Sequence, residues 1–247
     1  MLSGGRTTYG TPVGILMLDT RFPRPPGDVG NARTWPFPVR YRIVKGAESR
    51  RVIGTTDPAL LQPFIDAARE LEREGAAMIT TSCGFLAIFQ REMQAAVGVP
   101  MLTSSLLQVP LAARLVGKSK RVAIVTSRDE LTERHYVGTG WSSKDIPVVV
   151  TVLPQDAQMT NVYSSKVPEA ERPEADQDTL ERELVDAAKR TVREHPDVGA
   201  LVLECTNYVP YATAMRRAVE LPIFDLYTLV MQTYLATAGA EFPRALR

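Results

Sequence analysis

The chain holds two cysteines, and they fall at the same place in two copies of one pattern. Cys83 closes the run Ala76-Ala77-Met78-Ile79-Thr80-Thr81-Ser82, and Cys205 closes Gly199-Ala200-Leu201-Val202-Leu203-Glu204. A shift of 122 positions lays Cys83 on Cys205 without a gap, together with Met93 on Met215, Ala96 on Ala218, Val97 on Val219, Pro100 on Pro222 and Leu107 on Leu229. Each copy reads as an apolar strand, a thiol, a helix and a short strand opened by Val99-Pro100 or Leu221-Pro222. Such a duplication confines the chain to a pseudo-symmetric architecture with one thiol at each of two equivalent strand ends. Two facing acid/base groups are what moving a proton from one face of a carbon to the other requires.

The rest of the chain fits the same scheme. Val13–Leu18 is an apolar strand ending at Asp19. Arg21 to Gly30 carries Pro23, Pro25, Pro26, Gly27 and Gly30, so it is a long loop at that strand's carboxyl end. Val39–Val44 alternates apolar with basic residues, as an edge strand does. Thr56 or Asp57 caps a helix with Pro58 at its first position; the helix carries Leu60, Leu61, Phe64, Ile65, Ala68 and Leu71 on one face and ends at Gly75. Helices are expected over Leu106–Val116, from Asp129 to Tyr136, over Gln177–Glu194 and from about Leu226 to Ala238. Strands are expected at Arg121–Thr126 and Ile146–Leu153. Asp156–Ala175 is polar and proline-punctuated, and reads as a lid or surface loop.

Strands alternating with helices imply parallel sheets covered on both faces. The fold class is therefore α/β: two similar lobes, each a parallel sheet flanked by helices, related by a pseudo-twofold, with the site in the cleft between them. Residues 1–110 with 219–247 are expected to form the first lobe, and 111–218 the second. Ligands in such folds bind beyond the carboxyl ends of the strands. Asp19, Cys83, Thr126 and Cys205 all stand there.

Composition excludes several function classes. A net charge of +1 gives no pull toward nucleic acid or an anionic membrane. No apolar run is long enough to span a bilayer, and the first residues lack the apolar stretch of a secretory signal. Two cysteines are too few for a disulfide framework, so a cytoplasmic location is expected. No Cys-x-x-Cys spacing supports a redox disulfide. A metal site would need His135 or His195, and His195 precedes a strand, at the opposite end from the thiols. A nucleophilic cysteine paired with His135 stays open.

A thiol between a strand end and a helix start lies near free backbone N–H groups, which lower its pKa. The same residues resemble the aspartate/glutamate racemase superfamily, which includes glutamate, aspartate and hydantoin racemases, maleate isomerase and arylmalonate decarboxylase. Glu204-Cys205-Thr206-Asn207-Tyr208-Val209-Pro210 is similar to its Gly-Cys-Thr-His/Glu motif. Thr81-Ser82-Cys83-Gly84-Phe85 stands where it has Ala-Cys-Asn-Thr, and Val13-Gly14-Ile15-Leu16 resembles its opening strand. Arg121–Thr126 resembles the strand that opens its second lobe, and Tyr136 falls near a family tyrosine.

The resemblance implies a cofactor-independent racemase or epimerase, with Cys83 and Cys205 as bases at a carbon next to a carboxylate or carbonyl. Ser82, Gly84, Phe85, Thr126, Thr206 and Asn207 are implied to line the substrate site, with Asp19 orienting an amine or thiol and Arg21 or Arg24 clamping a carboxylate. Phe85 in place of the family's polar residue points to a larger or less polar substrate. A cysteine-dependent isomerase, a decarboxylase and a non-catalytic small-molecule binder are the alternatives. Family members are often dimers, so a homodimer is expected.

Overall fold

The computed structural model describes residues 9–54, 57–163 and 173–239. Its strands form two four-stranded sheets, every pairing parallel. The first contains β1 (Val13–Leu18), β2 (Val39–Val44), β3 (Met78–Thr81) and β4 (Met101–Leu102), in the order β2-β1-β3-β4. The second contains β5 (Arg121–Thr126), β6 (Val148–Val152), β7 (Val198–Leu203) and β8 (Ile223–Phe224), in the order β6-β5-β7-β8. The two orders match strand for strand. The duplication read from the cysteines thus extends to the whole topology.

β1, β3 and β7 are buried along their full length, as central strands covered on both faces must be. The edge strand β2 keeps only Val44 buried; its Arg42 pairs with Glu70 and Glu74 of the neighbouring helix. The helices are α1 (Ser49–Val52), α2 (Leu61–Arg73), α3 (Gln90–Ala95), α4 (Val109–Val116), α5 (Glu133–Gly138), α6 (Gln158–Val162), α7 (Gln177–Glu194), α8 (Ala212–Val219) and α9 (Leu226–Ala238). Asp57 caps the 3-10 turn before α2 through Ala59 N; Thr56 lies outside the described residues. Phe64, Ala67, Ala68 and Leu71 of α2 are buried against the first sheet. Burial of a large side chain such as Phe64 or Leu71 contributes roughly 1.5–3 kcal/mol.

Each half lends its last helix to the other. α4 packs on β5 and β7, while α9 packs on β3 and the core around Val13, Ile15 and Met78. Trp35 and Phe37 complete that core, with Trp35 stacked on Tyr227 and Phe37 on Tyr234. One expected boundary needs correction. Ile223–Phe224 pairs with Leu201–Val202 in the second sheet, so the chain returns to the first lobe after Phe224 and not at residue 219. The physical reason is the repeat itself: β8 is the counterpart of β4 and must finish its own sheet.

One helix boundary also shifts, and one short helix is added. α5 begins at Glu133 because Thr132 N donates to His135 Nδ1 (3.1 Å) and fixes the first turn there, leaving Asp129 outside. Within Asp156–Ala175 a short helix forms, α6, whose first N–H groups at Gln158 and Met159 donate to the Glu183 carboxylate (2.7 and 2.8 Å). Residues 164–172 of that segment lie outside the described residues. No helix among the described residues is long and apolar enough to cross a membrane.

Candidate active site

The two thiols come together through identical local structure. β3 and β7 run into extended residues Cys83 and Cys205, and each cysteine precedes a six-residue 3-10 helix, Gly84–Phe89 or Thr206–Tyr211. α3 and α8 then follow. Both cysteines line one cleft between the lobes, shared with Leu18, Phe22, Ser82, Gly84, Phe85, Ser127, Arg128, Tyr163, Glu204, Thr206 and Asn207. Its volume is about 30 Å³. That holds a water or two and is far below the few hundred Å³ of an occupied ligand pocket. A small molecule between the two thiols needs more room than this closed arrangement offers.

Of the seven residues expected around a substrate, five line this cleft: Ser82, Gly84, Phe85, Thr206 and Asn207. Ser82 Oγ accepts from Leu18 N (2.9 Å), and Ser82 O accepts across the lobes from Thr206 Oγ1 (2.8 Å). Phe85 is buried and meets His135 edge-on. The other two are corrections. Thr126 sits behind the cleft, its Oγ1 donating to Glu204 Oε2 (2.9 Å) and accepting from Arg128 N (3.2 Å). Asp19 is exposed and off the cleft, because the chain turns there and its N–H bonds Ala47 O (3.1 Å). Arg24 is likewise engaged elsewhere: it donates to Asp28 (2.9 Å) and Thr20 (3.0 Å) and lies over the Phe22 ring. Arg21 is exposed and does not line the cleft.

Sequence reasoning missed the charged groups that matter most. Glu204, quoted above only as part of a motif, is a buried carboxyl directly before Cys205. A Cβ placed on Gly84 would collide with the Glu204 carbonyl and carboxylate oxygens, so the first lobe's backbone rests directly on this side chain. Gly84 is therefore dictated by close approach, since its φ is not in the left-handed region. Arg128 is the one cation lining the cleft, and its guanidinium has no hydrogen-bond partner among the described residues. Asp28, fully buried in the proline-rich loop, accepts from Arg24, from Gly30 N (2.8 Å) and from Asn207 Nδ2 (2.8 Å). This fixes the Asn207 amide so that its Oδ1 faces the Cys205 thiol, 3.7 Å away, as an acceptor. Tyr163, at the end of α6, donates to Pro23 O (3.3 Å) and meets Phe22 edge-on, closing the cleft from outside.

The thiol pKa values move opposite to expectation. Burial and then the Glu204 charge push Cys83 up to about 12, against the backbone N–H groups of Phe85 and Leu86 and the Arg128 charge. Burial and Glu204 also push Cys205 well above the usual thiol value. The strand-end N–H groups are present as expected, but desolvation in a closed cleft outweighs them. Burial raises Glu204 to about 7, while Thr126 and Arg128 pull it down. His135 is lowered by burial, its Nδ1 is taken by Thr132, its buried Nε2 has no partner among the described residues, and it does not line the cleft with the thiols.

Two lobes of matching topology with a thiol from each in the cleft define the class. The fold is that of the aspartate/glutamate racemase superfamily. An arylmalonate decarboxylase variant superposes with a TM-score of 0.60 at 21% identity, covering 94% of each chain. The aspartate racemase of Picrophilus torridus gives 0.56 at 16% over 95% of this chain and 96% of its own. Allantoin racemase from Klebsiella pneumoniae gives 0.56 at 13% over 96% of each. No protein-family model matches.

Sequence relatives narrow the class. A dimethylsulfoniopropionate lyase of Durusdinium sp. clade D is 30% identical over 240 residues, 94% of this chain and 76% of the relative. Dimethylsulfoniopropionate lyase 3 of Emiliania huxleyi is 30% identical over 229 residues, 87% of this chain but 57% of the relative. The chain belongs to the dimethylsulfoniopropionate lyase family. Its sequence relatives are thus named for a lyase reaction, where the sequence reading expected a racemase.

Proposed function

We propose that the chain is a cofactor-independent lyase that removes a proton α to a carboxylate and expels a leaving group from the β-carbon. Dimethylsulfoniopropionate, the substrate named for its relatives, is the first candidate. Cys83 is the base. Its thiolate takes the α-proton, the new carbon–carbon double bond forms, and the C–S electron pair departs with dimethyl sulfide to leave acrylate. Cys205 stays a thiol, its proton held toward Asn207 Oδ1. Arg128 pairs with the substrate carboxylate. Phe22, Tyr163 and Phe85 surround the sulfonium, a cation suited to aromatic faces. The sulfonium also brings a positive charge into the cleft, which favours the Cys83 thiolate.

The observation that carries this reading is the asymmetry of the two thiols. At repeat-equivalent positions Cys83 is flanked by Ser82, Gly84 and Phe85, and Cys205 by Glu204, Thr206 and Asn207. In a racemase the two bases exchange roles on alternate enantiomers, which favours like surroundings. An elimination needs one base on one side. Racemisation or isomerisation at an α-carbon is the second reading, favoured by the presence of both thiols in the cleft.

Incubation with dimethylsulfoniopropionate, with headspace dimethyl sulfide and acrylate as readouts, tests the proposal. Cys83→Ser should lose about 1,000-fold or more, within the range for removing a general base. Solvent deuterium exchange into chiral carboxylates without any sulfide release would instead establish the racemase reading.

A further inference from the structure

We infer that Glu204 takes the proton from Cys83 after each turnover and carries it out of the closed cleft. This rests on Cys83 being the base, as proposed above. The geometry supplies the argument. The Glu204 carboxyl is buried, lines the same cavity as Cys83, and lies against Gly84, the residue next to Cys83. Oε2 is engaged by Thr126 Oγ1, which leaves Oε1 toward the Gly84 side. The groups whose charges act with it are Arg128 after β5, Cys83 after β3, Cys205 after β7, Tyr136 on α5 and Tyr208 in the 3-10 turn after Cys205.

The chemistry leaves Cys83 protonated in a space that holds only a water or two. A buried thiol in such a place has no ready route to bulk solvent. Glu204 supplies one: Cys83–SH and Glu204 carboxylate become Cys83 thiolate and Glu204 carboxylic acid, with no net charge moved into or out of the cleft. That carboxylate arises when Glu204, a carboxylic acid beside the resting thiolate, gives its own proton to water as the cleft opens after each turnover. The two groups share a single negative charge, because each raises the cost of ionising the other. The first half of the repeat fills this position with Ser82, so the carboxyl belongs to one thiol's side of the site alone.

Sharing one charge has a distinctive signature. The fraction of Cys83 present as thiolate beside a neutral Glu204 rises as the pair loses its first proton, near pH 7. It then stays constant until the second proton leaves at much higher pH. Alkylation of Cys83 by iodoacetamide, followed on the Cys83 peptide by mass spectrometry, should therefore level off above about pH 7 in the wild type, over a span set by the strength of the coupling, before the doubly ionised pair restores the climb. In Glu204→Gln, which keeps the shape and the Thr126 contact, it should climb about tenfold per pH unit, as for a single thiol. With dimethylsulfoniopropionate, Glu204→Gln should lower kcat about 100-fold at little change in KM, and imidazole should restore about tenfold by collecting the proton in its place.

A purely structural Glu204 would show neither the plateau nor the rescue. Identical alkylation profiles in the two proteins, or a Glu204→Gln kcat within about threefold of wild type, would overturn the relay. Glu204→Asp, which keeps a carboxyl, should retain the plateau and guards against a Gln variant that folds poorly. If the wild type releases no dimethyl sulfide, the lyase reading fails by itself, and the alkylation profiles still decide the relay.

Discussion

Gly84→Ala is the sharpest probe of how the lobes meet at this site. The added methyl would stand inside van der Waals distance of the Glu204 carbonyl oxygen, carboxylate oxygen and carbonyl carbon. A side-chain oxygen can swing away, but the carbonyl cannot: Glu204 N is tied to Val125 O (3.0 Å) in the second sheet. Relief therefore requires the lobes to separate at the bonds that join them here, Thr206 Oγ1 to Ser82 O (2.8 Å) and Ser105 Oγ to Leu203 O (2.5 Å). Overpacking costs about 1–3 kcal/mol, and loss of one buried hydrogen bond adds about 1 kcal/mol. A total near 3 kcal/mol lowers Tm by roughly 6–12 °C for a chain of this size. Differential scanning fluorimetry measures this directly. Gly98→Ala is the control: its methyl would meet only the side-chain oxygen of Glu72 (3.2 Å), which accepts from Gly98 N (2.6 Å) at the surface and can shift by a few tenths of an ångström, so it should stay within about 0.5 kcal/mol of wild type. Glu204→Gln should not rescue Gly84→Ala, because the backbone obstacle persists. A Gly84→Ala protein with wild-type Tm and turnover would refute the close approach and the lobe placement built on it.

Glu204 should also shape stability against pH. Its folded pKa, about 7, lies above the unfolded value, so its contribution is present below about pH 4.5 and is lost as pH rises to 7. The loss is about 3 kcal/mol, so urea melts at pH 8 should find Glu204→Gln more stable than wild type, with the gap closing below pH 5. Asp28→Ala removes a fully buried charge that holds Arg24 and Asn207, and should destabilise the protein by about 3–5 kcal/mol in the same melts. Arg128→Gln should raise KM for a carboxylate substrate by about 10–100-fold with little change in Tm, since its guanidinium holds nothing else among the described residues. An unchanged KM would remove Arg128 from the carboxylate site.

The fold was legible because its signals are local and repeated. Continuous apolar runs mark β1, β3, β5 and β7, and the cysteine register ties β3 to β7 and, by extension, β4 to β8. Cys83, Gly84, Phe85, Thr206 and Asn207 were legible for the same reason, as they flank strand ends. Glu204, Arg128 and Asp28 were not, because nothing in a single sequence distinguishes a buried charge from a solvated one. Asp28 looks like any loop aspartate until Asn207, 179 residues away, is found on its carboxylate. The direction of the thiol pKa shifts was hidden similarly: backbone N–H groups near a cysteine can be inferred from strand–helix order, but closure of the opposite lobe over it cannot. Asp19 misled because strand-end position says where a residue stands and not which way the chain turns next.

The closed cleft must open for a substrate to reach the thiols, and the contacts across it are unequal. The inner seam, where Gly84 meets Glu204 and Thr206 bonds Ser82, is fully buried. Among the described residues, the outer edge is held by the Tyr163-to-Pro23 hydrogen bond of 3.3 Å and the edge-on contact of Phe22 with Tyr163 at 5.4 Å, with Asn207 bonded to Asp28 (2.8 Å) further in. A hydrogen bond and an aromatic pair of this kind are each worth about 0.5–1.5 kcal/mol, so breaking these two contacts costs about 1–3 kcal/mol. Opening past Phe22 and Tyr163 breaks fewer of these contacts than parting the inner seam does. Tyr163→Phe removes only the hydrogen bond and should raise the open population several-fold. Alkylation of both cysteines at fixed pH should accelerate by about the same factor, since each reacts only from the open form. If the rates are unchanged, the substrate's route to Cys83 lies elsewhere on the cleft.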